Sequence, residues 1–283
     1  MAVAVTSMGG RLSVLDKTGL TFSAVVGAEP LDGHGYAAAT YGGMIIIAGG
    51  RVQGQHVAAV RWIDPKLPYW SDLPPLSLAR TDACAAVVGD CLFVCGGWSD
   101  NGLEARVDKC NLHTQLVTQA APLPSARCFA RAVVQDGQLY VIGGLRDGGS
   151  VDEILRYDAI GDTWTVVGAL RQARASSRVA VDGDGGIFVV GGYGSGDYST
   201  VVERSDARSL QLSVLPPLPQ GRGSPAVLVQ AGVLHVFGGE GPTGPTASRF
   251  SLSLAPGAAP SAWTETTDAL PEPTEFAGML TGV

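Results

Sequence analysis

Five segments of the chain share one form, an apolar run closed by two glycines: MIIIAGG at 44–50, CLFVCGG at 91–97, QLYVIGG at 138–144, IFVVGG at 187–192 and VLHVFGG at 233–239. The first glycines, Gly49, Gly96, Gly143, Gly191 and Gly238, lie 47, 47, 48 and 47 residues apart. A period of that length marks repeated supersecondary units, none of which buries its apolar face alone. Each run is short, rich in β-branched and aromatic residues and bounded by glycine, which predicts a strand buried on both faces. Gly42-Gly43, Gly89-Asp90, Asp136-Gly137 and Ala231-Gly232 stand before four of the runs. Such pairs favour the φ > 0 turns of tight hairpins, so an earlier strand is expected to pair with each run.

Other positions keep step with the glycines. Trp70 and Trp164 follow Gly50 and Gly144 by twenty residues, and Val117 and Leu212 hold the same place in two other units. Six residues ahead of these four stand Asp64, Asp158, Asn111 and Asp206, polar residues suited to a turn between two outer strands. Trp263 follows Gly239 by 24, its loop lengthened by residues 255–260. An arginine four residues after a leucine leads each unit: Leu76 and Arg80, Leu123 and Arg127, Leu170 and Arg174, Leu218 and Arg222.

Taken together, these elements resemble the kelch repeat: an arginine-led inner strand, a second strand ending in Gly-Gly, an acidic residue, then a tryptophan. The resemblance covers essentially the whole chain. It implies that each repeat is one four-stranded blade of a β-propeller, strand a innermost and strand d outermost. The termini supply further pieces. Residues 2–10 read as another strand b with Gly9-Gly10, residues 11–16 as a strand c with Phe22 in the tryptophan place, and 275–283 as a strand a. The expectation is an all-β, six-bladed kelch propeller in one domain, 1–283, with four antiparallel strands per blade. One blade joins 275–283 to 2–27, and the others span about 34–76, 77–123, 124–170, 171–218 and 219–270. Closing a ring with both chain ends protects exposed strand edges.

Composition narrows the function. With 39 glycines, 17 prolines and only 16% charged residues, the chain suits short strands and tight turns. A net charge of −7 argues against non-specific nucleic-acid binding, and no apolar run is long enough to span a bilayer. The first ten residues lack the basic segment and apolar core of a secretory signal. A cytoplasmic protein with no nucleic-acid or membrane partner is expected.

No cofactor, metal or catalytic residue is assigned. Five cysteines, all between Cys84 and Cys128, are an odd, clustered set unlike a secreted disulfide framework. If Gly89-Asp90 closes a two-residue turn, Cys84 faces Cys95; small apolar core filling is the preferred reading, and His235 reads as a core histidine. The kelch-like specifier proteins carry a Glu-x3-Asp-x3-His iron motif, whose spacing Glu104, Asp108 and His113 miss by one residue.

In kelch propellers the loops joining blades and those joining strands b and c share one face. Counting along this chain puts Arg11, Arg51, Trp98, Leu145, Tyr193 and Glu240 there, directly after the glycine pairs, with Arg146 and Tyr198 in the b–c loops. The inner strands begin near His34, Arg80, Arg127, Arg174 and Arg222, with Arg131 and Arg178 one step deeper. The expected partner-binding residues are Arg51, Arg80, Trp98, Arg127, Arg146, Arg174, Tyr193, Tyr198 and Arg222. Guanidinium groups bind carboxylates, and Trp and Tyr give rigid apolar contact. The reading is a platform for a protein or peptide partner, with an acidic segment favoured, similar to the kelch halves of ubiquitin-ligase substrate adaptors. The repeat arginines have a competing structural reading, as bonds to the backbone or acids of an adjacent blade. A sugar mutarotase using Glu240 or Asp82, and a cytoskeletal or scaffolding protein, are the alternatives.

Overall fold

A computed structural model describes residues 3–7, 12–16, 21–24, 33–206, 211–255, 262–267, 269–270 and 276–279, the strands near the two termini entering as backbone pairing. The two-residue turns form as expected. Asp136 and Gly137 have φ of 50° and 72°, so Gln135 pairs with Gln138, and Ala231-Gly232 does the same for Gln230 and Val233. That left-handed pair matches the right-handed twist of the strands it joins.

Each hairpin continues into an antiparallel sheet in the order a-b-c-d. In blade 2 the strands are Cys84–Val88, Cys91–Cys95, Val107–Asn111 and Val117–Ala120; in blade 3 they are Arg131–Gln135, Gln138–Ile142, Glu153–Asp158 and Thr163–Ala169. Blades 1, 4 and 5 repeat the order from Ala37–Tyr41, Arg178–Val181 and Ala226–Gln230. The polar turn residues sit where the spacing put them: Asp64, Asn111 and Asp158 accept backbone N–H bonds two residues on, at 2.9, 3.0 and 3.0 Å. The core lies between blades. Ala39, Ile46 and Ala48 of blade 1 pack against Leu92, Val94 and Cys110 of blade 2, and each later junction repeats this. Fully burying one such aliphatic side chain contributes roughly 1.5–3 kcal/mol.

The glycine pair and the arginine form one device. Gly96 adopts φ of 66°, and a Cβ there would lie 2.4 Å from the carbonyl oxygen of Arg127, at the start of the next blade. Only glycine permits that approach and that φ together. Gly97 N then donates to Arg127 O at 2.8 Å, and Gly50 to Arg80, Gly144 to Arg174 and Gly192 to Arg222 make the same bond.

A second link runs round the inner end of the blades. Gly35, Asp82, Phe129, Ser176 and Ser224 all have φ between 45° and 69°. The N–H of each of the last four donates to the carbonyl of the one before it, at 2.8, 2.9, 3.0 and 2.9 Å.

The expectation of six blades is corrected. Five blades of complete form are present. Each carries a second hairpin between strands b and c, and eight or nine residues of chain make room for it, as between Gly97 and Val107 and between Gly144 and Glu153. The termini form a further four-stranded sheet, Thr21–Ala24, Leu12–Asp16, Val3–Ser7 and Phe276–Met279, whose last strand lies between the inner strands of blades 5 and 1. Only Arg11 stands between Gly10 and Leu12, too little chain for the b–c hairpin, so this sheet is not a sixth copy of the repeat.

Candidate binding face

The b–c hairpins carry the site. In blade 4, Ala175 bridges to Tyr193, and Tyr193 pairs with Tyr198 across the hairpin. Directly opposed residues in antiparallel strands present their side chains to the same face, so each blade offers a row of three. The rows are His34-Arg51-His56, Thr81-Trp98-Leu103, Cys128-Leu145-Ser150, Ala175-Tyr193-Tyr198 and Gly223-Glu240-Pro245. The residues after the glycine pairs are thus brought together in the middle of each row. His34 is in register with Thr81, one residue past the arginine position. Arg11 lies outside the described residues.

The rows of blades 3, 4 and 5 line an open cavity of about 490 Å³. Phe129, Leu145, Tyr193 and Tyr198 give it apolar walls, with the hydroxyl residues Ser176 and Ser224 and the carboxylate residue Glu240 among its lining. The two tyrosine rings meet edge to face at 5.4 Å. Tyr193 is 43% exposed, and Trp98, in the row of blade 2, is 44% exposed. Phe129, Ser176 and Ser224 escaped the sequence reading. Their left-handed backbone carries no residue-type signal, and only the register beside the repeat arginine locates them.

The four repeat arginines are not on this face. Arg80, Arg127, Arg174 and Arg222 are among the largest fully buried side chains. Arg80 donates to Gly96 O at 2.9 Å, Val94 O at 3.1 Å and Asp108 Oδ2 at 2.7 Å. Arg127 pairs with Glu153 at 2.6 Å and Arg174 with Glu203 at 2.5 Å. Arg222 differs: it donates to Gly238 O and Ser248 Oγ, at 2.7 and 2.8 Å, and lies 4.4 Å from the centre of the Phe250 ring. Burial lowers the pKa of Arg174 and Arg222, most of all through desolvation. In this structure the four side chains lie inside the blades and contribute no exposed surface to the hairpin face on which they were expected.

Arg51 and Arg146 are exposed on their hairpins. Arg51 Nε donates to Gly54 O at 2.8 Å, and Arg146 stands 3.4 Å from Glu153. Asp100, Asp147 and Asp197 are exposed on the same set of hairpins, so the rim is not predominantly positive. His56 Nδ1 lies 2.7 Å from Asp100 Oδ1, tying blade 1 to blade 2. Asp82 is half-buried beside this group, and desolvation raises its carboxyl pKa against the opposing pull of its bond to Thr81 and the charges of His34, Arg131 and His56.

No group of three or more His, Cys, Asp or Glu side chains among the described residues is placed to hold a metal. Asp108 is engaged by Arg80 and Ser77, Glu104 by Ser99, and His113 by Tyr41 across the other end of the blades. Cys84 does face Cys95, and both thiols are free and buried. Among the described residues there is no helix long and apolar enough to cross a membrane.

Residues 32–77, 79–124 and 126–171 each match the Kelch motif. The Kelch-like protein terF of Aspergillus terreus is 34% identical over 134 residues, covering 40% of this chain and 28% of that protein. Beta-scruin of Limulus polyphemus is 30% identical over 161 residues, 52% of this chain and 18% of its own length. The Kelch repeat protein M-T8 of Myxoma virus is 28% identical over 178 residues, 60% of this chain and 34% of its own. The chain therefore spans about a third or less of each of these relatives. The solved structure titled "Structure of YjhT" superposes with a TM-score of 0.67 at 19% identity, over 77% of this chain and 75% of that one, a likeness of fold.

Proposed function

The chain belongs to the kelch-repeat β-propeller family, and on that premise we propose that it is a protein-binding platform which seats a partner segment across the b–c hairpin rows. One observation carries the reading. The scaffold side chains of the repeat are buried, whereas the middle residue of each row differs from blade to blade, and those of blades 3, 4 and 5 help to line a cavity of about 490 Å³. A volume of that size accepts one large apolar side chain with neighbouring backbone, and Tyr193, Tyr198 and Trp98 are the rigid amphipathic anchors typical of interface hot spots.

The rim gives no blanket attraction for an acidic chain, because exposed Asp100, Asp147 and Asp197 share the set of b–c hairpins with Arg51 and Arg146. The partner segment supported best has an apolar or aromatic residue at its centre. Peptide display against wild type and a Trp98→Ala/Tyr193→Ala variant tests this. Partners selected by wild type should lose at least tenfold in affinity, with the unfolding temperature unchanged. Equal capture by both proteins overturns the reading, and so does mutarotation of an anionic sugar abolished by Glu240→Gln.

A further inference from the structure

Glu240 is the only charged residue among those that line the cavity. Its side chain is half-buried, and its carboxylate makes no hydrogen bond or ion pair among the described residues. The single basic side chain on the b–c hairpins of blades 3, 4 and 5 is Arg146, which lies 3.4 Å from Glu153. An acid without a counter-charge is thus set in a cavity with aromatic and aliphatic walls. Partial burial strengthens the pull of such a charge on an incoming cation.

The strand register sets an aromatic ring beside it. Gly223 N donates to Glu240 O at 2.7 Å and Glu240 N to Gly223 O at 2.8 Å, so the two side-chain positions share one face. On that face a Cβ at residue 223 would lie 3.0 Å from both Cδ1 and Cε1 of Tyr198. The missing side chain of Gly223 therefore admits the Tyr198 ring of blade 4 alongside Glu240 of blade 5. Tyr193 completes the group, its ring edge to face with Tyr198 at 5.4 Å.

We infer that the cavity takes a basic side chain, a lysine or arginine of the partner segment, with its charge on the Glu240 carboxylate and its alkyl stem along Tyr193 and Tyr198. Aromatic rings attract a cation through their electron-rich faces, and a carboxylate accepts the N–H bonds that the cation donates. The stem of the same residue covers apolar wall while its head keeps the charge. This role depends on the cavity being the seat of the partner, and adds that the inserted segment carries one positive charge beside its apolar anchor.

The test is calorimetric titration of the whole protein, at low salt, with the N-acetylated and C-amidated dipeptides Trp-Lys, Trp-Arg, Trp-norleucine and Trp-Glu. In wild type a basic dipeptide should bind at least about fivefold more tightly than the norleucine one, and the glutamate one should bind most weakly. The better of the two basic probes distinguishes an ammonium from a guanidinium. Glu240→Gln should close the gap to norleucine, whereas Glu265→Gln, which removes the same charge from the outer strand of blade 5, should keep it. Tyr198→Leu should narrow the gap without closing it, a second readout if Glu240→Gln disturbs the hairpin. Equal affinity for basic and norleucine dipeptides in wild type, a gap that survives Glu240→Gln, or no binding of any dipeptide overturns the role. A norleucine dipeptide that binds as well as a basic one leaves the platform reading standing, and none of the titrations needs the partner, so this failure is separable from failure of the Trp98/Tyr193 experiment.

Discussion

Arg80 and Asp108 form an ion pair of 2.7 Å with both side chains buried, 0% and 2% exposed, one from the approach to strand a and the other from strand c of the same blade. Asp108 also accepts from Ser77 Oγ at 2.5 Å. Asp108→Ala would leave a guanidinium buried without its counter-charge, which typically costs about 3–5 kcal/mol. Urea unfolding should show that loss. A change under about 1 kcal/mol would mean the backbone carbonyls of Gly96 and Val94 suffice to hold Arg80.

Blade 5 offers the converse experiment. Ser248 stands where blades 2, 3 and 4 place an acid against the repeat arginine, and Arg222 Nε has no hydrogen-bond partner among the described residues. Ser248→Asp supplies the missing charge, and a rise of about 1 kcal/mol in unfolding free energy is expected. A fall would show that the Phe250 face and the Gly238 carbonyl already satisfy the cation.

Glycines at two places in one blade should respond differently. Gly96→Ala meets the Arg127 carbonyl at 2.4 Å and requires φ of 66°, whereas Gly89→Ala at the a–b turn, φ 56°, meets nothing within 4 Å. The turn substitution should cost about 1 kcal/mol, from backbone strain alone. The doublet substitution should cost at least about 3 kcal/mol, since an overpacking cost adds to the same strain. Similar denaturation midpoints for the two variants would refute the clasp between blades.

His235 gives the pH dependence. It is buried in strand b of blade 5, with Nδ1 2.9 Å from Ser251 Oγ, and desolvation, helped by Arg249, lowers its pKa to about 4. The unfolded chain therefore takes up this proton near 6.5 while the folded one refuses it until about 4. Stability should fall as pH drops through that window, by on the order of 2–3 kcal/mol from this group. The difference in unfolding free energy between pH 7 and pH 4.5, measured by urea titration, should shrink by about that amount in His235→Phe. An unchanged difference would show that carboxylates alone set the slope.

The blades were legible because their markers are demanded by backbone geometry. Gly49, Gly96, Gly143 and Gly191 sit against a carbonyl or side chain of the next blade, and no other residue fits. The row residues Trp98 and Tyr193 were legible by counting from those glycines. The fate of the repeat arginines was harder to read. Their acids follow at 28, 26 and 29 residues, in Asp108, Glu153 and Glu203, and such uneven offsets do not stand out as a period. The spacing between Gly10 and Leu12 did carry the sign that the terminal sheet lacks a b–c hairpin, but the shared glycine pair masked it. The cavity depended on Phe129, Ser176 and Ser224 being turned inward by positive φ, a matter of conformation more than of residue type.

Because the N–H of Asp82, Phe129, Ser176 and Ser224 each closes on the preceding blade, five peptide groups are bonded head to tail along the inner ends of blades 1 to 5. Such a chain fixes a gauge: blades 2, 3 and 4 cannot slide outward without breaking two of its links each, and aligned bonds stiffen one another. A ligand seated on that side would then meet a rim of set shape, and selectivity there should come from what fits rather than from what the protein closes around.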